Sequence, residues 1–192
     1  MGIHANRASY AFALVATVMA GSGCSTTTSG GGGTSTSLAE YQLDGSNPEL
    51  EADVAAIAAA DNAAFVCIDV DVSFTDQETL DGLKSAYSGA TAGFPAYVAD
   101  VRVKVERRSG EICTIELGDD PDLDEAVARL TVARNRGREC QGDEPDLDDE
   151  NSLALVKQKY MEIGLIFDSI TAVAVALADA AEEVADDICA DS

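Results

Sequence analysis

Tryptophan is missing from this 192-residue chain, lysine is scarce, and the single histidine is His4. His4 sits in a leading segment read below as removable, so the chain beyond it has no histidine. That excludes histidine-containing catalytic triads and dyads and every histidine-ligated metal or haem centre. Familiar enzyme signatures are missing as well: there is no G-x-S-x-G, S-x-x-K, G-x-x-x-x-G-K-[ST] or G-x-G-x-x-G. Basic charge is sparse, with 12 Lys+Arg against 35 Asp+Glu and a formal net charge of -23. Such a surface repels a phosphate backbone, so nucleic acid is not an expected partner. Aromatics make up only 5%, which gives little to stack sugars on. What is plentiful is apolar residues, at 46%, enough to build a folded core.

Residues 1–10 carry Arg7 and no acid, and Ala11 to Ala20 (AFALVATVMA) form a short apolar run. The run is too short to cross a bilayer, which needs about 20 residues, but it suits the hydrophobic region of a signal peptide. Gly21-Ser22-Gly23-Cys24 follows. Residues 1–24 resemble a bacterial lipoprotein signal, in which small residues precede a cysteine that is cleaved and lipidated. The resemblance implies a signal peptide over 1–23, lipidation of Cys24, and an exported protein anchored to a membrane of the cell envelope. Ordinary cleavage after Ala20, giving a secreted or periplasmic protein, is the alternative. Ser25 to Ser37 has no charge and no large side chain, so 24–37 is expected to be a flexible tether. If Cys24 takes the lipid, Cys67, Cys113, Cys140 and Cys189 remain, enough for two disulfides in any of three connectivities.

Residues 38–192 are expected to form one acidic α+β domain: a small antiparallel sheet of about three strands packed by helices, the longest at the carboxyl end. A mainly α-helical bundle is the alternative. Asn47-Pro48 and the acids after it start a helix to about Ala64. Val66, Ile68, Val70, Val72 and Phe74 alternate with polar residues and predict a strand. Thr75 to Glu78 forms a capping box that opens a helix to about Tyr87, and Gly89, Gly93 and Pro95 interrupt the chain. Val101, Val103 and Val105, the Ser109-Gly110 turn and Ile112 to Leu117 predict a hairpin. Asp120-Pro121 starts a helix to about Arg134, with Gly137 as its breaker. Apolar residues spaced three and four apart from Leu153 to Ile188 predict one long helix, bent or broken only at Gly164. Its seam packs on the domain or pairs with a second copy through 153–188.

Two groups of charges are candidate sites. Gly118-Asp119-Asp120-Pro121-Asp122-Leu123-Asp124-Glu125 recurs as Gly142-Asp143-Glu144-Pro145-Asp146-Leu147-Asp148-Asp149. The carboxylates Asp119, Asp120, Asp122, Asp124, Asp143, Asp146, Asp148 and Asp149 could ligate calcium. They also stand where helices begin, where acids are favoured on dipole grounds alone. Arg102, Lys104, Arg107, Arg108, Arg134, Arg136 and Arg138 would form a basic island for an anion or a partner's carboxylates if the hairpin lay beside the 121–134 helix. No catalytic residue and no obligatory cofactor stand out. The expected role is a non-enzymatic binding or structural module of the envelope, with a calcium-binding protein and a carboxylate-dependent hydrolase as alternatives.

Overall fold

The computed structural model describes residues 37–88 and 93–191, and among these the regular structure is entirely helical. The signal segment, Cys24, the tether up to Thr36 and Gly89 lie outside the described residues. A 3-10 turn at Leu38–Glu40 precedes six α-helices: α1 Pro48–Cys67, α2 Asp76–Ala86, α3 Phe94–Thr114, α4 Pro121–Gln141, α5 Asp149–Ile163 and α6 Ile170–Ala190. The expected α+β fold with its small sheet is therefore incorrect, and the architecture is a helical bundle.

Three starts follow from local chemistry. The Asn47 side chain accepts from the Leu50 N–H ahead of Pro48, and Asp120 accepts from Asp122 and Leu123 ahead of Pro121. Thr75 and Glu78 close a reciprocal capping box on α2.

The expected hairpin is instead helix α3. Its buried residues Phe94, Val98, Val101, Val105 and Ile112 follow helical spacing, whereas Val103, which completed the alternation, is exposed. Ser109 and Gly110 lie inside this helix. The expected strand at 66–74 begins inside α1 and continues as an extended connection. From Ile68 onward its alternation is real, since Val72 is buried while Asp69, Asp71 and Ser73 are exposed, but Val66 is exposed and no strand among the described residues pairs with the segment. The Asn62 side chain fastens it instead, accepting from Phe74 N at 2.7 Å and donating to Phe74 O at 3.0 Å. Helix α4 runs through Gly137 and stops at Gly142, whose φ of 83° is the left-handed C-cap conformation that glycine adopts without strain.

The long carboxyl-terminal helix, expected to bend or break only at Gly164, is broken there into two helices, α5 and α6. Gly164 caps α5, and a Cβ there would stand 2.2 Å from the Tyr160 carbonyl oxygen and 2.5 Å from its ring. Ser169 then caps α6. Gly164→Ala is accordingly expected to destabilise the protein by about 1–3 kcal/mol. Urea denaturation measures this directly, and an unchanged midpoint would mean that the turn has room the structure does not show.

The six helices repeat one plan twice. In each half a long helix, a shorter return helix and a second long helix follow in order, and the two long helices run side by side in the same direction. Contacts along the second half fix that direction. The Thr171 hydroxyl donates to Asp120 where α4 and α6 begin, Arg129 meets Asp179 and Glu182 midway, and Cys140 bonds Cys189 at their ends. In the first half, Asp53 with Arg102, Asp61 with Arg108 and Cys67 with Cys113 make the same ladder between α1 and α3. The four bonded cysteines each fall nineteen residues after the first residue of their helices.

The correspondence reaches individual hydrogen bonds. Asn135 clamps the backbone of Leu147 as Asn62 clamps Phe74. Gly118 N donates to Asp124 as Gly45 N donates to Glu51. Both long-helix pairs bury an apolar face, and the halves meet where α3 packs against α5 and α6.

Candidate functional site

Charge and open space concentrate in several places. The first is sealed. Asp61 on α1 and Arg108 on α3 form an ion pair with 2% and 1% of their side chains exposed, and Arg108 also donates to the Met161 carbonyl in the last turn of α5 at 3.0 Å. Burial raises the Asp61 carboxyl above the ordinary carboxylate range, and the guanidinium opposes that rise. A carboxylate hydrolase would need such an acid in a cleft, but Asp61 is enclosed by three helices and engaged by Arg108. Charge patterning alone misses Asp61, although its apolar setting (AAADNAA) is a usable signal.

The repeated acidic segments are helix entrances. Asp119 accepts from Glu116 N, and Asp124 accepts from Gly118 N. Asp120 caps α4, and its carboxyl is held below the usual range, first by the Thr171 hydroxyl. Asp148 caps α5 and is lowered by Asn151. Asp122 and Asp149 fall in first turns, Asp146 pairs with Arg138 at 3.2 Å, and Asp143 follows the α4 cap, its N–H donating to Arg138 O. Among the described residues, no group of three or more carboxylates or thiols is arranged to hold a metal ion.

The structure disperses the cations over two helix pairs. Arg102 meets Asp53 and Glu106, Lys104 meets Asp100, and Arg107 reaches Glu111 and the Phe167 carbonyl. Arg136 meets Asp186, and Arg138 meets Asp146 and the Glu144 carbonyl. Arg134 differs. It makes no ion pair among the described residues, and its Nη1 is buried without a hydrogen-bond partner.

Among the described residues, open space remains in three places, one of them a shallow hollow of about 440 Å³ on the outer side of α4 past Glu125, Arg129, Val132 and Arg136. A cleft of about 530 Å³ lies beside the Cys67–Cys113 bond, between Ile68, Leu117 and Leu153, with Glu116, Glu150 and Lys157 at its walls. A smaller groove of about 270 Å³ runs between α4 and α6, past Arg134, Gly137, Gln141, Val184 and Ile188. Gly137 lets the two helices approach there, its position facing the Ala185 backbone and Ile188 at under 4 Å.

The core below α5 holds Tyr160, fully buried, with Glu111 and Arg107 nearby. Burial, reinforced by Glu111, pushes this phenol up to about 12. Because the folded phenol holds its proton beyond the pH at which the unfolded one loses it, near 10, this residue's contribution to stability is complete below pH 10. It is lost as pH rises through the folded value. Tyr160→Phe is expected to flatten that alkaline fall and to remove the last phase of the phenolate absorbance titration; a variant titrating like the parent would contradict the assignment.

No helix among the described residues is long and apolar enough to cross a membrane. No protein-family model, curated protein or solved structure matches the chain.

Proposed function

We propose that this chain is an exported protein, tethered to a membrane through lipidated Cys24, whose disulfide-stapled helical domain is a non-enzymatic binding module. The observation that carries this reading is the cysteine pattern. Cys67 with Cys113 and Cys140 with Cys189 stand at bonding distance, which uses four of five cysteines and leaves Cys24. Structural disulfides persist in oxidising compartments, and an apolar run followed by small residues leads into Cys24. Two features of the domain support binding over catalysis: its charged groups mostly engage one another as caps and ion pairs, and its open space lies in grooves between helices.

The test is the intact mass of the protein extracted from its native cells without reductant. The expected result is a chain starting at Cys24 that carries a lipid-sized increment and lacks four hydrogens. An unlipidated, fully reduced chain that retains residues 1–23 would overturn both export and anchoring.

A further inference from the structure

The geometry points to a binding site for a single carboxylate with a short aliphatic chain in the groove between α4 and α6. This deepens the binding-module reading and rests on it, but not on export or lipidation, which the mass measurement decides separately.

The repeated plan shows what is unusual about this groove. Asp61 and Arg134 occupy the same position on α1 and α4, thirteen residues after the first residue of each helix. Arg108 and Val184 likewise share a position on α3 and α6. In the first half, the carboxylate of Asp61 meets the guanidinium of Arg108, and the space between the helices is closed. In the second half a guanidinium stands on the first helix, and its counterpart across the gap is a valine that is 56% exposed. The groove opens there, and the buried Nη1 of Arg134 has no acceptor among the described residues. Arg138, beside it, is already engaged by Asp146 and the Glu144 carbonyl, so Arg134 is the free cation among the described residues of the groove.

The chemistry selects the ligand. A carboxylate supplies the charged acceptor that a guanidinium donor fits best. Ala181, Val184 and Ile188 line the groove with apolar surface for a chain. Its volume of about 270 Å³ admits a short chain and excludes a bulky one. A polyanionic partner would be repelled by a chain of net charge -23, whereas a monoanion carries the smallest such penalty.

Hexanoate is the probe, titrated into the full chain with its disulfides intact and followed by amide NMR shifts. The expected result is a saturable shift in the millimolar range confined to α4 and α6 around residues 134–141 and 181–188. Arg134→Gln should weaken it at least tenfold, and 1-hexanol, with the same chain and no charge, should bind at least tenfold more weakly than hexanoate. Val184→Trp fills the groove from its exposed rim, leaves Arg134 in place, and should abolish binding even if Arg134→Gln fails to fold. Equal binding of hexanol and hexanoate, binding that survives Val184→Trp, or no saturable shift would each overturn the site.

Discussion

Asp61→Ala is expected to cost the fold about 3–5 kcal/mol, because it leaves the Arg108 guanidinium charged and unpaired between three helices. For a domain of this size that lowers Tm by roughly 6–20 °C. Arg108→Met should cost a similar amount, since it strands the Asp61 carboxylate in the same place. The double variant Asp61→Leu/Arg108→Met should recover most of the loss, because an apolar pair of similar volume has no desolvation to offset. The measurement is a double-mutant cycle in urea with the disulfides kept oxidised. Additive single losses would mean that the two side chains do not act on each other. The Met161 carbonyl would still lose its donor, so recovery is expected to fall short of the parent by about 1 kcal/mol.

The second large effect belongs to the disulfides. Each closes a loop of similar length, with separations of 46 and 49 residues. Constraining the unfolded chain over loops of this length stabilises the native state by about 4 kcal/mol each. Cys140→Ser/Cys189→Ser is therefore expected to lower Tm by roughly 8–16 °C, and the Cys67→Ser/Cys113→Ser pair by a comparable amount. Since the bonds lie in different halves, the two losses should nearly add. Thermal melts with and without reductant check this: reductant should lower the parent to the level of the quadruple variant and leave that variant unchanged. Melts that ignore reductant would show that the bonds contribute nothing.

Helix entrances are legible in the sequence because a cap is a local device. Asn47-Pro48, Asp120-Pro121 and the Thr75–Glu78 box each decide their structure within four residues. The expected sheet fails because a period of two and a period of about 3.6 share members over short stretches. Val101 and Val105 satisfy both, and only the partner surface on α1 decides that Val103 faces water. At 68–74 the alternation does describe which side chains turn inward, although Val66 is exposed, but extended chain becomes sheet only beside another strand, and the Asn62 amide takes that role.

The repeat is hidden by a louder echo. Gly118 to Glu125 matches Gly142 to Asp149 closely, yet its structural counterpart is Gly45 to Ala52, which enters α1 as Gly118 to Glu125 enters α4. The spacing of 73 residues shared by Gly45/Gly118, Asn62/Asn135 and Cys67/Cys140 is the available signal. The candidate groove is legible only in its chemistry. Arg134 belongs to the basic set, but that it alone among the described arginines is left without a carboxylate depends on Val184, fifty residues further along the chain.

The junction between the halves is one-sided. α3 reaches across to α5 and α6, whereas α6 makes no comparable contact with α2. The second unit is thus set against the first like the next brick in a course and is not folded back on it as a mirror partner. An arrangement of this kind has no built-in stop. In this chain, however, the seat does not repeat: α6 carries Val184 where α3 carries the Arg108 that donates to the Met161 carbonyl of the second unit, so α6 does not offer a further neighbour the surface that α3 offers.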